Sequence, residues 1–572
     1  MGRRARNEEE ALSRLSTTSD AARRRFPDRT FGLGAAAVTV APGRASARGW
    51  VVLAFVASLA IYVAGAAPTV LDRDSGELQA VALTGGVAHT TGYPTFAMVG
   101  WVFGHLLPGD PAGRINLMSA VFGAGSLALL VVVGVELGLA PAVAFTGAIV
   151  YGAGFSFWAG ALRAEVYTLS VALFLLSYWR TLVALRTDRP RDRAVAAVLL
   201  GLSVTGHLSC APAVAVLGLS LAWRANRLGR TLREWPALVL GFVIGLTPYL
   251  HIVWADTHGA RVNYLHHADK VFFPETGVPT GRLSSPWYRL LWLVLGRNDA
   301  PGASAHIVPW NMIRTTVWST PLVVLFELGP IAAALLLPGF LAFRRENRAE
   351  ADRIALVAAA SFLFSVMIVS GSMLELFLLF PLAPLSLLAA RGLQRMLPAG
   401  RAAARPWLVP ACACAVMLVP HAIRLWSYGH PIGPKHWTVL EEDGSRPFKL
   451  LRRFDRPYEA RDFGLGALRV IPQGALVVGD WRELPILYYY CLALGMRGDL
   501  AFQPMSNPSH WHAVHTWELA HDLRRRPVVY LSMTPAMRPL IAALDSMSVA
   551  PGRWVYLSRE PLRTVPPLAT SP

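Results

Sequence analysis

Residues 50–79 read WVVLAFVASLAIYVAGAAPTVLDRDSGELQ. Trp50 to Ala67 is an uninterrupted apolar run, near the length a bilayer core requires of a helix. It is too long, and too far from the N-terminus, for a cleaved signal peptide. Immediately after it come Asp72, Asp74 and Glu77, so an apolar span ends in an acidic turn.

The rest of the chain repeats that texture. Of 572 residues, 54% are hydrophobic and only 16% are charged, against roughly a quarter charged in an average soluble protein. The net charge of +18 could suggest nucleic acid. The Arg residues, however, gather between apolar segments, as cytoplasmic membrane loops demand, which argues against a nucleic-acid partner. Cys210, Cys412, Cys414 and Cys491 make no disulfide framework, and the Cys412/Cys414 spacing is wrong for a zinc knuckle.

Further spans are expected near 115–136, 140–158, 165–186, 194–208, 210–223, 235–253, 322–343, 354–371, 374–391 and 407–424, about eleven in all with the first. Arg-rich links lie at Arg186 to Arg191, Arg224 to Arg233, Arg344 to Arg353 and Arg391 to Arg405. With residues 1–49 as a polar, disordered cytoplasmic tail, all four links fall inside only if 93–107 does not cross. That segment is therefore expected to lie along the outer surface. The loops 68–114 and 255–315 and everything after about 425 are then extracytoplasmic. The Arg-rich stretch Arg446 to Arg461 would lie outside, which a long translocated domain tolerates. The expected fold is a polytopic α-helical membrane domain over 50–425 followed by a small extracytoplasmic α/β domain over 426–572. Its expected strands are at 475–478, 500–502, 528–531 and 554–557, with helices near 483–495 and 511–525. No internal repeat points to an inverted-repeat transporter.

Asp74 and Glu77 are spaced i, i+3, which on a helix makes the two carboxylates neighbours, a plausible base and its partner. The same residues also read as a capping box, with Asp74 as N-cap and Glu77 reaching back. Arg163, Glu165, Tyr167, His207 and Glu375 are expected at the same outer face, and ionisable groups there are functional candidates. Carboxylates, His and Arg at an outer membrane surface suit attack on a lipid-linked phosphate. The His258, His266, His267 and Asp269 loop matches no metal-site spacing. His510, His512, His515 and His521 with Trp511 and Trp517 could contact a carbohydrate or acceptor, or form an ordinary amphipathic helix. Gly479-Asp480 ends a strand, where α/β sheets often bind ligands.

Ala67-Pro68-Thr69-Val70, Asp74-Ser75-Gly76-Glu77-Leu78, His89-Thr90-Thr91-Gly92-Tyr93-Pro94 and Arg114-Ile115-Asn116-Leu117-Met118-Ser119-Ala120 resemble the family catalogued as domain of unknown function 2723. That family includes a transmembrane O-mannosyltransferase and is classed among the GT-C glycosyltransferases. Trp158 with Glu165-Val166-Tyr167, and Gly201-Leu202-Ser203 with His207-Leu208, also fit, so the resemblance runs over roughly 50–250. It returns at Glu375 with Phe380-Pro381 and at Gly479-Asp480 with Pro485 to Tyr490. It implies a GT-C fold, a polyprenyl-phosphate sugar as donor (mannose in the characterised member), a protein or glycan acceptor, and no cofactor or metal. It makes Asp74 the general base with Glu77 in support. His89, Tyr93, Arg114, Arg163, Glu165, Tyr167, His207 and Glu375 become substrate-binding candidates. Three departures stand out: His89-Thr90-Thr91-Gly92 replaces His-Pro-Pro-Gly, Trp254-Ala255-Asp256 lacks an expected Arg, and Glu375 stands where Asp is usual. The competing classes are a transporter or lipid-linked sugar flippase, with polar groups at mid-membrane, and a non-catalytic scaffold. High Arg and Ala with little Lys suggest a GC-rich bacterium, hence its inner membrane.

Overall fold

The computed structural model describes residues 44–106, 108–265, 285–295, 310–368, 374–396, 407–413, 415, 458–504, 524–531 and 544–562. The chain falls into two compact units, Met1–Ser46 and Ala47–Pro572. Apart from the opening turn of the first helix, the first unit lies outside the described residues, as do His266, His267, Asp269, Cys414, the helix expected at 511–525 and its histidines.

Helix α1, Arg44–Gly65, is apolar on every side from Trp50 onward. Val52, Val56 and Val63 stay exposed on it, which is the surface a helix offers to lipid rather than to water. Helix α4, Pro111–Glu136, is long enough to cross, at about 39 Å for 26 residues. Its start is explicit in the sequence: Asp110 caps it by accepting from the Gly113 N–H at 2.9 Å, and Pro111 occupies the first turn. Helix α7, Val166–Thr187, packs along α4.

Between them, α5 (Pro141–Gly152) and α6 (Phe155–Ala161) form a pair bent by 79°. Helices α8 (Pro190–Val204), α9 (Ala211–Arg227), α10 (Thr231–Gly245) and α11 (Tyr249–Thr257) continue the bundle. Gly201 and Gly245 let α8 and α10 meet backbone to backbone: a Cβ at either would lie 2.1 Å from a carbonyl oxygen of the other helix. Small residues serve such close crossings in membranes. By length and composition, four of the described helices can cross a bilayer, or up to seven counting each bent pair as one span. This is a polytopic helical membrane protein.

The first loop carries two short helices, α2 (Arg73–Thr84) and α3 (Pro94–Leu106). At 12 and 13 residues each is about 20 Å long or less, too short for a core of about 30 Å. Met98, Trp101, Val102 and Leu106 are nevertheless exposed on α3.

Beyond the helices comes a five-stranded sheet in the order β2-β1-β3-β5-β4. Strand β1 (Leu476–Gly479) pairs in parallel with β2 (Ala501–Pro504) and β3 (Val528–Tyr530), while β5 (Arg553–Leu557) runs antiparallel to β3. The four expected strands are these. The fifth, β4 (Asp545–Ala550), pairs antiparallel with β5. It escapes a reading of buried runs because it carries no apolar stretch and its first two residues are exposed.

One buried side chain ties the first loop to the bundle. Asn116, fully buried on α4, donates to the carbonyl oxygens of Ala67 at 2.8 Å and Thr69 at 3.0 Å. Its Oδ1 accepts from Gln79 Nε2 and from the Ala164 N–H, both at 2.8 Å. Gln79 in turn accepts from the Leu71 N–H at 3.1 Å. Replacing Asn116 with Leu keeps the γ-branched shape but orphans several buried groups, at about 1–3 kcal/mol each. The thermal midpoint of detergent-solubilised Asn116→Leu should fall well below wild type. An unchanged midpoint would contradict this role.

Candidate functional site

The two carboxylates do not form a capping box. Helix α2 starts two residues earlier than that reading requires, with Asp72 at the N-cap and no side-chain cap bond. Both carboxylates are instead engaged by distant parts of the chain. The indole N–H of Trp481 donates to Asp74 Oδ1. Glu77, 2% exposed, accepts from the His89 backbone N–H at 2.8 Å and shares a 2.5 Å hydrogen bond with His89 Nδ1. The glycine between them has its own reason. A Cβ on Gly76 would sit 2.4 Å from the Leu71 carbonyl oxygen and 3.2 Å from Pro485 Cβ.

The turn from His89 to Pro94 brings rings to this pair. Gly92 takes a positive φ of 87°, the left-handed region glycine favours. Tyr93, at φ 41°, folds back so that its hydroxyl donates to the Thr90 carbonyl and lies 3.4 Å from His89 Nε2. His89 meets Trp481 and Tyr264 edge-on, with centroids 5.7 and 6.3 Å away. Tyr93 stacks on His207 at 5.3 Å. His207 also contacts Tyr167 at 5.0 Å and Phe377 at 5.9 Å. Its Nδ1 accepts from the Ser209 N–H at 3.1 Å and lies 2.7 Å from the Ser209 hydroxyl. An accepting Nδ1 leaves the ring proton of a neutral His207 on Nε2.

Arg163 and Glu165 form a buried ion pair, Nε to Oε1 at 3.1 Å, beside the Ala164 amide that Asn116 holds. The Tyr167 hydroxyl is within electrostatic reach of Glu165, Asp74, Glu375 and Arg163. Glu375 lies on a short helix, Leu374–Phe377, whose Phe377 touches His207. Nine of the ten expected residues thus converge. Arg114 is the exception among the described contacts. It shares the start of α4 with Asp110 and lies within electrostatic reach of Tyr489 instead. Residues two apart on a helix point nearly opposite ways, and here Asn116 has the side facing the loop.

Three contributors were not among the expected residues. Trp481, Tyr264 and Gln79 are distant from the motifs or chemically unremarkable in them. Gly479-Asp480, legible in the sequence as a strand end, lies within two residues of Trp481. Tyr264 arrives from the long second loop, where its N–H donates to the Val87 carbonyl at 3.0 Å. Asp256 anchors that loop by accepting from Arg289 and, at 3.0 Å, from Asn263.

Burial pushes the Glu77 carboxyl above its ordinary range, and His89 draws it part of the way back. Behind Trp481, burial pushes the Glu483 carboxyl up to about 9, helped by a hydrogen bond with Asp480 and opposed by Arg553. Among the described residues no three His, Cys, Asp or Glu side chains are grouped to hold a metal ion. His258 is exposed and stacks on Trp254 at 5.2 Å.

The bundle with short first-loop helices is a GT-C-like fold. It superposes on the crystal structure of ArnT from Cupriavidus metallidurans in the apo state with a TM-score of 0.53, covering 90% of this chain and 98% of that one at 14% identity. Residues 74–229 match the family described as the Protein O-mannosyl-transferase TMEM260 N-terminal domain. The resemblance carried by the first-loop motifs therefore holds, and it is to a GT-C-like membrane O-mannosyltransferase family. Protein O-mannosyl-transferase TMEM260 of Mus musculus is 28% identical over 228 residues, covering 38% of this chain. Its Dictyostelium discoideum counterpart is 40% identical over 76 residues, covering 13% of this chain. These alignments span 32% and 9% of the two relatives' own lengths.

A carboxyl raised by folding adds stability that is full below its unfolded value, near 4.5, and is lost as pH rises through the folded value. Glu483 should therefore lower the thermal midpoint progressively from pH 5 to about 9. In Glu483→Gln that part of the decline should vanish. Parallel pH profiles of the two proteins would contradict the assignment.

Proposed function

We propose that this chain is a metal-independent, inverting glycosyltransferase that moves a sugar from a polyprenyl-phosphate donor to a hydroxyl of a protein or glycan on the outer face of the membrane. One observation carries this reading. Seven polar and aromatic side chains, His89, Tyr93, Arg163, Glu165, Tyr167, His207 and Glu375, gather around the Asp74–Glu77 pair, which lies inside the segment that matches the O-mannosyltransferase family model. The names of the relatives support mannose as the sugar.

In the reaction, Asp74 takes the proton of the acceptor hydroxyl as its oxygen attacks the anomeric carbon. The bond from that carbon to the phosphate oxygen breaks, and the polyprenyl phosphate leaves with the electron pair. A single displacement inverts the anomeric centre. Arg163, placed by Glu165, is the cation suited to the leaving phosphate. Glu77 is too enclosed by His89 to meet an acceptor, and its part is to hold the turn that carries His89 and Tyr93.

The proposal includes the arrangement inferred from charge bias: about eleven crossings, the N-terminus cytoplasmic and the C-terminal sheet outside, in a bacterial inner membrane. A reporter fused after Leu107 should give an extracytoplasmic signal. A cytoplasmic one would remove the first loop from the face where the reaction is proposed.

Bent helices favour a second reading, a transporter or flippase for lipid-linked sugar. Three pairs are bent by 79°, 41° and 103°. At the first and third of these bends Glu327 is buried, accepting from the Ser156 N–H at 3.0 Å and from its hydroxyl at 2.7 Å. The two readings separate on one assay, transfer of radiolabelled mannose from polyprenyl-phosphate mannose by membranes carrying each variant. Asp74→Asn should lose at least about 100-fold, the usual worth of a general base, and Glu77→Gln much less. Full transfer by Asp74→Asn, or loss confined to Glu327→Gln, would sink the transferase mechanism.

A further inference from the structure

The segment that follows β1 in the C-terminal sheet is bound to the acidic helix of the first loop at three successive points. The Arg73 N–H donates to the Arg482 carbonyl at 3.4 Å. The Trp481 indole N–H donates to Asp74 Oδ1. Gly76 leaves room for Pro485, whose Cβ would be 3.2 Å from any side chain placed there. Residues separated by some four hundred positions thus share one interface, and its centre is the carboxylate proposed as the base.

Trp481 is itself held from both sides. Asp480 Oδ1 accepts from the Arg482 N–H at 2.7 Å, an Asx turn that sets the direction of the intervening residue. The Asp480 carbonyl accepts from the Leu484 N–H at 3.1 Å. On the other side the indole meets His89 at 5.7 Å and Tyr264 at 6.2 Å, both edge-on. Such contacts fix a ring's plane as well as its position. A fixed N–H on one carboxylate oxygen stops rotation of that carboxylate and directs the second oxygen.

We propose that Trp481 is a positioning residue for Asp74, so that the C-terminal sheet is an integral part of the transferase site. This rests on the reading of Asp74 as the base. Trp481 touches no reacting atom. It orients the oxygen that receives the acceptor proton, and because it acts on a group used only in the chemical step, its loss should appear in kcat and not in KM.

The test uses the full chain in detergent and polyprenyl-phosphate mannose as donor. Trp481→Phe keeps a ring against His89 and Tyr264 and removes only the N–H. Its kcat should fall by about tenfold or more, the worth of one hydrogen bond to a charged group, with KM for the donor within about twofold. Trp554→Phe, an exposed tryptophan of the same sheet, should match wild type. A double-mutant cycle on thermal midpoint with Asp74→Ala reads the contact without any activity. The double variant should be no less stable than the weaker single variant. Additive midpoint shifts would overturn the proposal whatever the activity. So would an unchanged kcat in Trp481→Phe when Asp74→Asn is inactive, which leaves the base reading standing. If Asp74→Asn transfers normally, the base reading fails and this proposal falls with it, even where the cycle shows coupling.

Discussion

The side chain of Asn116 is the point on which the geometry of the first loop depends. Its amide makes two donations and two acceptances, close to all the hydrogen bonds an amide can form. The partners belong to the end of the first span, the acidic helix and the turn before α7. In the low dielectric of a buried site each bond is strong, and each broken one costs desolvation that is not recovered. The loop between two spans is thereby held nearly as rigidly as the spans. The acidic helix α2, through Gln79, and the turn carrying the Arg163–Glu165 pair, through Ala164, both hang from this amide.

From that hub the site is built outward by aromatic contacts. Trp481, His89, Tyr93, His207, Tyr167 and Phe377 form a continuous run of rings from the C-terminal sheet to the helices of the bundle. Rings supply area and fixed planes at little entropic cost, since each has few rotatable bonds. Polar groups set among them stay partly shielded from water, where their charges act more strongly. Glu77 illustrates the balance. Burial pushes its carboxyl up from the ordinary range, and the His89 contact draws it part of the way back.

Much of this was legible in the chain itself. The long spans announce themselves by apolar length, because a helix satisfies its own backbone inside lipid and only apolar side chains are cheap to place there. Asp110 followed by Pro111 marks the start of α4, and four strands follow from short apolar runs. The Asp74-Ser75-Gly76-Glu77 stretch is visible as a functional candidate, but its capping-box pattern does not describe the contacts it makes. A capping box is a pattern of neighbours, and these carboxylates are used by residues 12 and 407 positions away. Arg114, two residues before Asn116 on the same helix, reaches electrostatically toward Tyr489.

Sequence by itself therefore determined the class of the protein, its longest apolar helices and the acidic first loop, because hydrophobic length acts locally and survives in any reading of the chain. Only the tertiary structure decided what each acid does. Trp481, Tyr264 and Gln79 carry no motif of their own. Their roles come from hydrogen bonds and ring contacts across loops, and a periodic pattern does not encode the distance between segments that meet only when the chain is folded.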